Sequence, residues 1–159
     1  MHRIDIDAAG FVAALEDLVD REIWRVPCRL EVKPSFQIED DAAAAQLYRI
    51  AREAVINANK HAKARQIVVE LDRSGKEIVL CVIDDGIGFP DKSKLKQGLG
   101  FHIMDYRARL IGARLEIDSP KQGGTRVACY LPDVPLQSRQ KGNGSQGNSR
   151  RKSLKHKPS

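Results

Sequence analysis

Apolar residues recur along the chain with two periods, and the switches between them divide it into eight segments. Residues 8–24 carry Phe11, Leu15, Leu18 and Val19 at helical spacing, with Asp7 placed to cap the start and Pro27 to break the run. Cys28–Val32 alternates as a short strand, and Pro34 with the polar stretch to Asp41 forms a connection. Asp40 or Asp41 is placed to cap a long helix from Ala42 to His61. Its apolar residues Leu47, Ile50, Ala51, Ala54, Val55 and Ala58 follow i, i+3, i+4, i+7, i+8, i+11, which makes one continuous stripe. Gln66–Leu71 and Glu77–Ile83 read as strands joined by a hairpin turn at Arg73-Ser74-Gly75-Lys76. After a glycine- and lysine-bearing segment, 86–97, a helix is predicted from near Gly100 to a stop at Gly112. Arg114–Asp118 and Thr125–Leu131 read as two further strands around a Pro120–Gly124 turn. The order α β α β β, loop, α β β predicts an α+β fold: a two-layer α/β sandwich, a mixed sheet with helices packed on one face.

With 159 residues and 42% hydrophobic content, the chain has room for one domain with a real core. No apolar run approaches the roughly 18 residues of a membrane span. The opening MHRIDIDAAGF has acids where a signal peptide needs positive charge, so a cytoplasmic location is expected, with no membrane segment in this chain. Cys28, Cys81 and Cys129 lack metal-ligand spacing and read as buried free thiols of a reducing compartment. The net charge of +6 points toward nucleic acid until it is located. Seven of the 27 basic residues but only one of the 21 acids, Asp133, follow Pro132, so residues 1–132 hold 20 of each sign. The expected organisation is a folded, neutral domain over 1–132 and a disordered basic tail over 133–159. Such a tail touches nucleic acid or anionic lipid only non-specifically, or is simply solvated.

Four segments carry candidate chemistry. On the long helix, Glu53 and Asn57 are i,i+4 neighbours away from the apolar stripe, and Lys60 and His61 continue that seam. The alternative is a solvated helix face, but Ile56 interrupts its polarity and two asparagines are poor choices for helix propensity alone. Asp84-Asp85-Gly86-Ile87-Gly88 ends a strand with an acid and two glycines. That arrangement offers a carboxylate to the exocyclic amine of a base and lets a flat ligand approach the backbone, or it is an acidic β-turn. Gly98-Leu99-Gly100 opens a helix after Lys92, Lys94 and Lys96, a phosphate-binding start or a solvated loop. There is no GxxxxGK[ST] and no full GxGxxG. Gly123-Gly124-Thr125 enters the final strand, which closes on Leu131-Pro132.

In order and spacing, these segments resemble the ATP-binding catalytic domain of bacterial sensor histidine kinases, within the superfamily that also holds the gyrase, chaperone and mismatch-repair ATPases. Glu53–His61 matches the N box, Asp84–Gly88 the G1 box and Gly98–Gly100 the G2 box, while Gly124-Thr125 and Leu131-Pro132 match the closing strand. LYRIAREAVINANKHAKA is similar to the subfamily paired with LuxR-type response regulators. The resemblance covers about residues 8–132 and implies ATP and Mg2+ as cofactors. It implies that Asn57 places its side-chain oxygen on Mg2+, that Glu53 is the base polarising the attacking histidine or water, and that Lys60 and His61 lie toward the phosphates. It also implies that Asp84 accepts the adenine amine, that Gly86 and Gly88 allow close approach, that Gly98 and Gly100 form the phosphate-side hinge of a lid with Leu99 between them among the ATP-binding residues, and that Thr125 supports Asp84. Asp85 stands where asparagine is also common in the family.

Two departures from the family pattern bear on function. The lid between Gly88 and Gly98 is short, with no separate phenylalanine box. The phosphoacceptor is missing: His2, His61, His102 and His156 precede Arg, Ala, Ile and Lys, not an acid, and 27 residues before the first strand leave room for one helix and no hairpin. The expected function is therefore the catalytic domain of a two-component histidine kinase, transferring the γ-phosphoryl of Mg·ATP to a histidine on a dimerisation domain absent from this chain. That domain would be supplied by a parent protein or in trans, with a LuxR-type response regulator downstream, no specific nucleic acid, and a monomeric state for the isolated domain. The alternative is a non-catalytic ATP-binding interaction module; the presence of Glu53, which simple binding does not require, favours the enzyme.

Overall fold

The computed structural model describes residues 5–61, 63–88 and 98–133, with the side chains of His61 and Leu99 excluded. Three helices and five strands follow in the order α1 (Phe11–Val19), β1 (Cys28–Val32), α2 (Asp41–His61), β2 (Ile67–Ser74), β3 (Glu77–Asp84), α3 (Leu99–Leu110), β4 (Arg114–Asp118) and β5 (Thr125–Pro132). The strands form one sheet in the order β1-β2-β3-β5-β4. β1 and β2 are parallel, with α2 as the crossover between them, and the other pairings are antiparallel. The sheet is thus mixed.

Strand alternation sorts the sheet into two faces. Ile67, Val69 and Leu71 of β2, Ile78, Leu80 and Val82 of β3, and Val127, Cys129 and Leu131 of β5 pack into one core with the buried residues of all three helices. The apolar stripe of α2 is buried along its whole length, from Leu47 to Ala58. The opposite face has only a small apolar cluster of Val79, Cys81 and Ala128, edged by Ile83 and Tyr130. Arg114 lies over the Tyr130 ring at 4.1 Å and pairs with Glu77, so this face is closed by long charged side chains. Among the described residues, no helix is long and apolar enough to cross a membrane.

Element ends depart from the periodicity where a side chain intervenes. The first helix is shorter than the predicted 8–24, because the Trp24 indole donates to the Leu18 carbonyl at 2.6 Å and takes the acceptor that further helix would use. Asp7 does not occupy the N-cap, which is Gly10; its Oδ1 instead accepts the Gly10 N–H at 2.7 Å and closes the turn before the helix. Of the two candidate caps, Asp40 precedes α2 and accepts the Ala43 N–H at 3.1 Å, while Asp41, the first residue of the helix, accepts the Ala8 N–H at 2.8 Å and ties the N-terminal segment to α2. The β2–β3 hairpin is tighter than predicted: Ser74 pairs with Glu77, leaving Gly75 at φ +60° and Lys76 as a two-residue turn. At the end of α3 the Ala113 N–H reaches the Ala108 carbonyl and the Gly112 N–H the Arg109 carbonyl, with Gly112 at φ +71°. This is the glycine stop expected there. The predicted basic tail beyond Asp133 and the lysine segment 89–97 lie outside the described residues.

Candidate nucleotide site

The end of β3 is the most unusual position in the domain. Asp84 follows a run of buried apolar residues and is only 7% exposed, the one buried charged or polar residue among those described. Burial raises its carboxyl above the usual aspartate value. Backbone N–H groups of Gly86 (2.9 Å to Oδ1) and Thr125 oppose that rise, and the neighbouring Asp85 charge adds to it. A carboxylate in that position is costly for folding, which makes Asp84 a candidate binding group.

Asp85, its neighbour, has a different task. Its exposed carboxylate accepts the N–H groups of Arg65 (2.8 Å) and Gln66 (3.0 Å), which holds its pKa below the usual range. It tethers the entry to β2 beside the turn that follows β3. Those partners are about twenty residues away in sequence, so no local pattern shows them.

The glycine turn after Asp84 is packed against the β4–β5 connection. Gly88 has φ +65°, and a Cβ there would lie 2.3 Å from Ser119 Oγ and 2.5 Å from the Gly124 carbonyl oxygen. Gly124 has φ +88°, and its Cβ would lie 2.0 Å from the Asp84 carbonyl oxygen. Gly88 thus has a packing reason to be glycine, alongside the ligand approach that the sequence suggests. Thr125 pairs with Asp84 across the β3–β5 ladder and supports it through its backbone N–H.

The second wall is built by α2 and the start of α3. Glu53 and Asn57 are partly buried, one turn apart, and Lys60 is exposed toward the C-terminal end of α2. A Cβ on Gly100 would lie 2.9 Å from Asn57 Nδ2 and 3.0 Å from Glu53 Oε1. The absence of that Cβ lets the first turn of α3 sit directly on the carboxylate–amide pair. Asn57 turns its nitrogen to α3, so its oxygen lies farther from Gly100. Gly98 is the N-cap of α3, with φ +107°, no side-chain cap bond and open space around a would-be Cβ, so backbone conformation alone requires glycine there. The structure thus joins Glu53, Asn57 and Gly100 in one contact, and Asp84, Gly86, Gly88 and Thr125 in another. It sets Gly98 at the head of α3 and His61 at the end of α2, with the His61 and Leu99 side chains outside the description.

Asn59, also on α2, belongs to the fold: its Oδ1 accepts the Arg25 N–H at 2.9 Å and pins the loop before β1. Ser119 did not stand out in the sequence beyond its place before Pro120, a turn signal. Among the described residues, no group of three or more His, Cys, Asp or Glu side chains could hold a metal ion. The Asn57 amide beside Glu53 suits Mg2+, which takes few protein ligands and draws the rest from phosphates and water.

Residues 42–135 match the family described as histidine kinase-, DNA gyrase B- and HSP90-like ATPases. Over 92 residues, 54% of this chain, the sequence is 41% identical to an uncharacterised sensor-like histidine kinase of Chloroflexus aurantiacus. Over 136 residues, 82% of this chain, it is 30% identical to the sensor protein NarQ homolog of Haemophilus influenzae. The matched parts are 15% and 24% of those two proteins. Among solved structures, the ATP-binding domain of PrrB from Mycobacterium tuberculosis superposes with a TM-score of 0.61 at 20% identity, over 82% of this chain and 96% of that one. At that identity the likeness speaks to the fold.

Proposed function

Because the chain belongs to the histidine kinase-, DNA gyrase B- and HSP90-like ATPases, as an ATP-binding catalytic domain of the histidine-kinase kind, we propose that it transfers the γ-phosphoryl of Mg·ATP to a histidine on a separate dimerisation domain. The observation that carries this reading is Asp84: a buried carboxylate, oriented by two backbone N–H groups at the mouth of a glycine turn. It is suited to accept the exocyclic amine of adenine, with Gly86 and Gly88 letting the ring lie close.

Phosphoryl transfer depends mainly on positioning and charge neutralisation. Asn57 would hold the magnesium that accompanies ATP through its amide oxygen, and that metal would supply charge neutralisation for the phosphates. Lys60, near the C-terminal end of α2, and the glycine-flanked start of α3 would lie toward the phosphates, where helix N–H groups and the positive end of the dipole favour anions. Glu53, against Gly100, would accept the proton from one ring nitrogen of the attacking imidazole as the other nitrogen bonds to the γ-phosphorus and the bond from that phosphorus to the leaving ADP oxygen breaks. The phosphohistidine would then serve a response regulator of LuxR type, in a cytoplasmic signalling pathway.

Glu53→Ala should retain nucleotide binding within about twofold yet lower transfer to a supplied histidine domain by at least roughly a hundredfold, the scale of a lost general base. Radiolabelled phosphate on the acceptor is the readout. Transfer at the wild-type rate would remove Glu53 from the reaction.

A further inference from the structure

We infer that Ser119 is a positioning residue for adenine recognition, acting on Asp84 through the single peptide that joins Gly124 to Thr125. The inference rests on the assignment of Asp84 to the adenine amine. Ser119 follows β4, and its hydroxyl donates to the Gly124 carbonyl oxygen at 2.8 Å. The N–H at the other end of that same planar peptide belongs to Thr125, which pairs with Asp84 across the β3–β5 ladder and whose N–H lowers the Asp84 pKa against the rise from burial. Fixing the carbonyl therefore fixes the direction of the donor that aims Asp84, and polarisation along the chain of bonds strengthens both.

Thr125 opens the paired part of β5 and Gly124 packs on the Asp84 carbonyl, so this peptide lies where the glycine turn meets the ladder. Gly123 and Gly124 sit at φ +98° and +88°, a region glycine enters freely but also leaves freely. The Gly123 N–H bond to the Pro120 carbonyl, at 3.0 Å, closes the turn without touching the Gly124 carbonyl. Ser119 Oγ also lies where a Gly88 Cβ would stand, at 2.3 Å, so the same hydroxyl meets the far side of the turn whose Gly86 N–H is the second donor to Asp84. One side chain thus contacts both backbone segments that orient the acid.

The test is nucleotide titration of the full chain with Mg·ATP and, separately, with magnesium tripolyphosphate, which lacks the base. Ser119→Ala should weaken ATP roughly fivefold, the scale of one hydrogen bond, and leave tripolyphosphate unchanged. Ser119→Thr, which keeps the donor, should restore ATP binding, and Ser119→Val, its isostere without a donor, should not. In an Asp84→Asn background, Ser119→Ala should cost nothing further. The pH at which ATP binding is half lost should move upward in Ser119→Ala, because a carboxylate deprived of an aimed donor holds its proton more tightly. Equal loss of ATP and tripolyphosphate, or Thr and Val behaving alike, would overturn the inference. So would the same fivefold loss in the Asp84→Asn background. Asp84→Asn binding ATP as tightly as wild type would instead overturn the adenine assignment itself, which separates the two failures. If Ser119→Ala does not fold, the Thr and Val pair decides the question.

Discussion

Asp84 joins a folding cost to the proposed binding role in one side chain. Its carboxyl is raised above the ordinary value of 3.8 chiefly by burial, so the folded chain holds this proton more tightly than the unfolded chain does. The stability that Asp84 contributes therefore grows as pH falls from the raised value toward 3.8 and is lost as pH rises through it. At neutral pH the ionised group is a cost to the empty domain. Asp84→Asn should melt no lower than wild type without nucleotide at neutral pH and should lose this pH dependence, as parallel thermal melts across the acid range would show. A melting temperature several degrees lower would mean that the carboxylate is there for the fold. At this scale the sequence was informative where chemistry is local: Glu53 and Asn57 share a helix face, and Asp84 precedes two glycines. It was silent on Ser119 and on the tether made by Asp85, since both act on backbone groups that only the folded chain brings near.

Elements were legible in proportion to their periodicity. The stripe of α2 declares both the helix and its buried face, and Asp40 caps it as one of two candidates. Leu47 is fully buried, so Leu47→Ala should cost about 2–5 kcal/mol, against about 1 kcal/mol for Asp40→Ala; urea unfolding of the two variants measures both. Near-equal losses would contradict the burial assigned to α2. The boundaries that pattern alone misplaced were set by tertiary contacts. The Trp24 indole ends α1 early, and pairing with β3 keeps the polar residues Asp72, Arg73 and Ser74 within β2. Neither leaves a mark in hydrophobic spacing.

For the whole molecule, the sequence supports a mixed sheet under helices but not the strand order β1-β2-β3-β5-β4, because pairing partners are chosen across the chain. That order places the Asp84 end of β3 beside the Thr125 end of β5, which is how two distant glycine segments come to pack together. The sheet also shields its thiols. Desolvation pushes Cys129 up to about 12 and Cys28 to about 11, the latter helped by Asp20, and raises Cys81 as well. None should be alkylated by iodoacetamide in the native state near about pH 8, while all should react after denaturation, as mass spectrometry would report. The central claim is that these walls form an adenine-recognising ATP site. Calorimetric titration of Mg·ATP into wild type and Asp84→Asn tests it most directly. The account predicts wild-type binding in the micromolar to millimolar range and at least roughly tenfold weaker binding by the variant, the scale of a lost charge-assisted hydrogen bond. Equal affinity in the two proteins, or no binding by wild type at millimolar ATP, would contradict it.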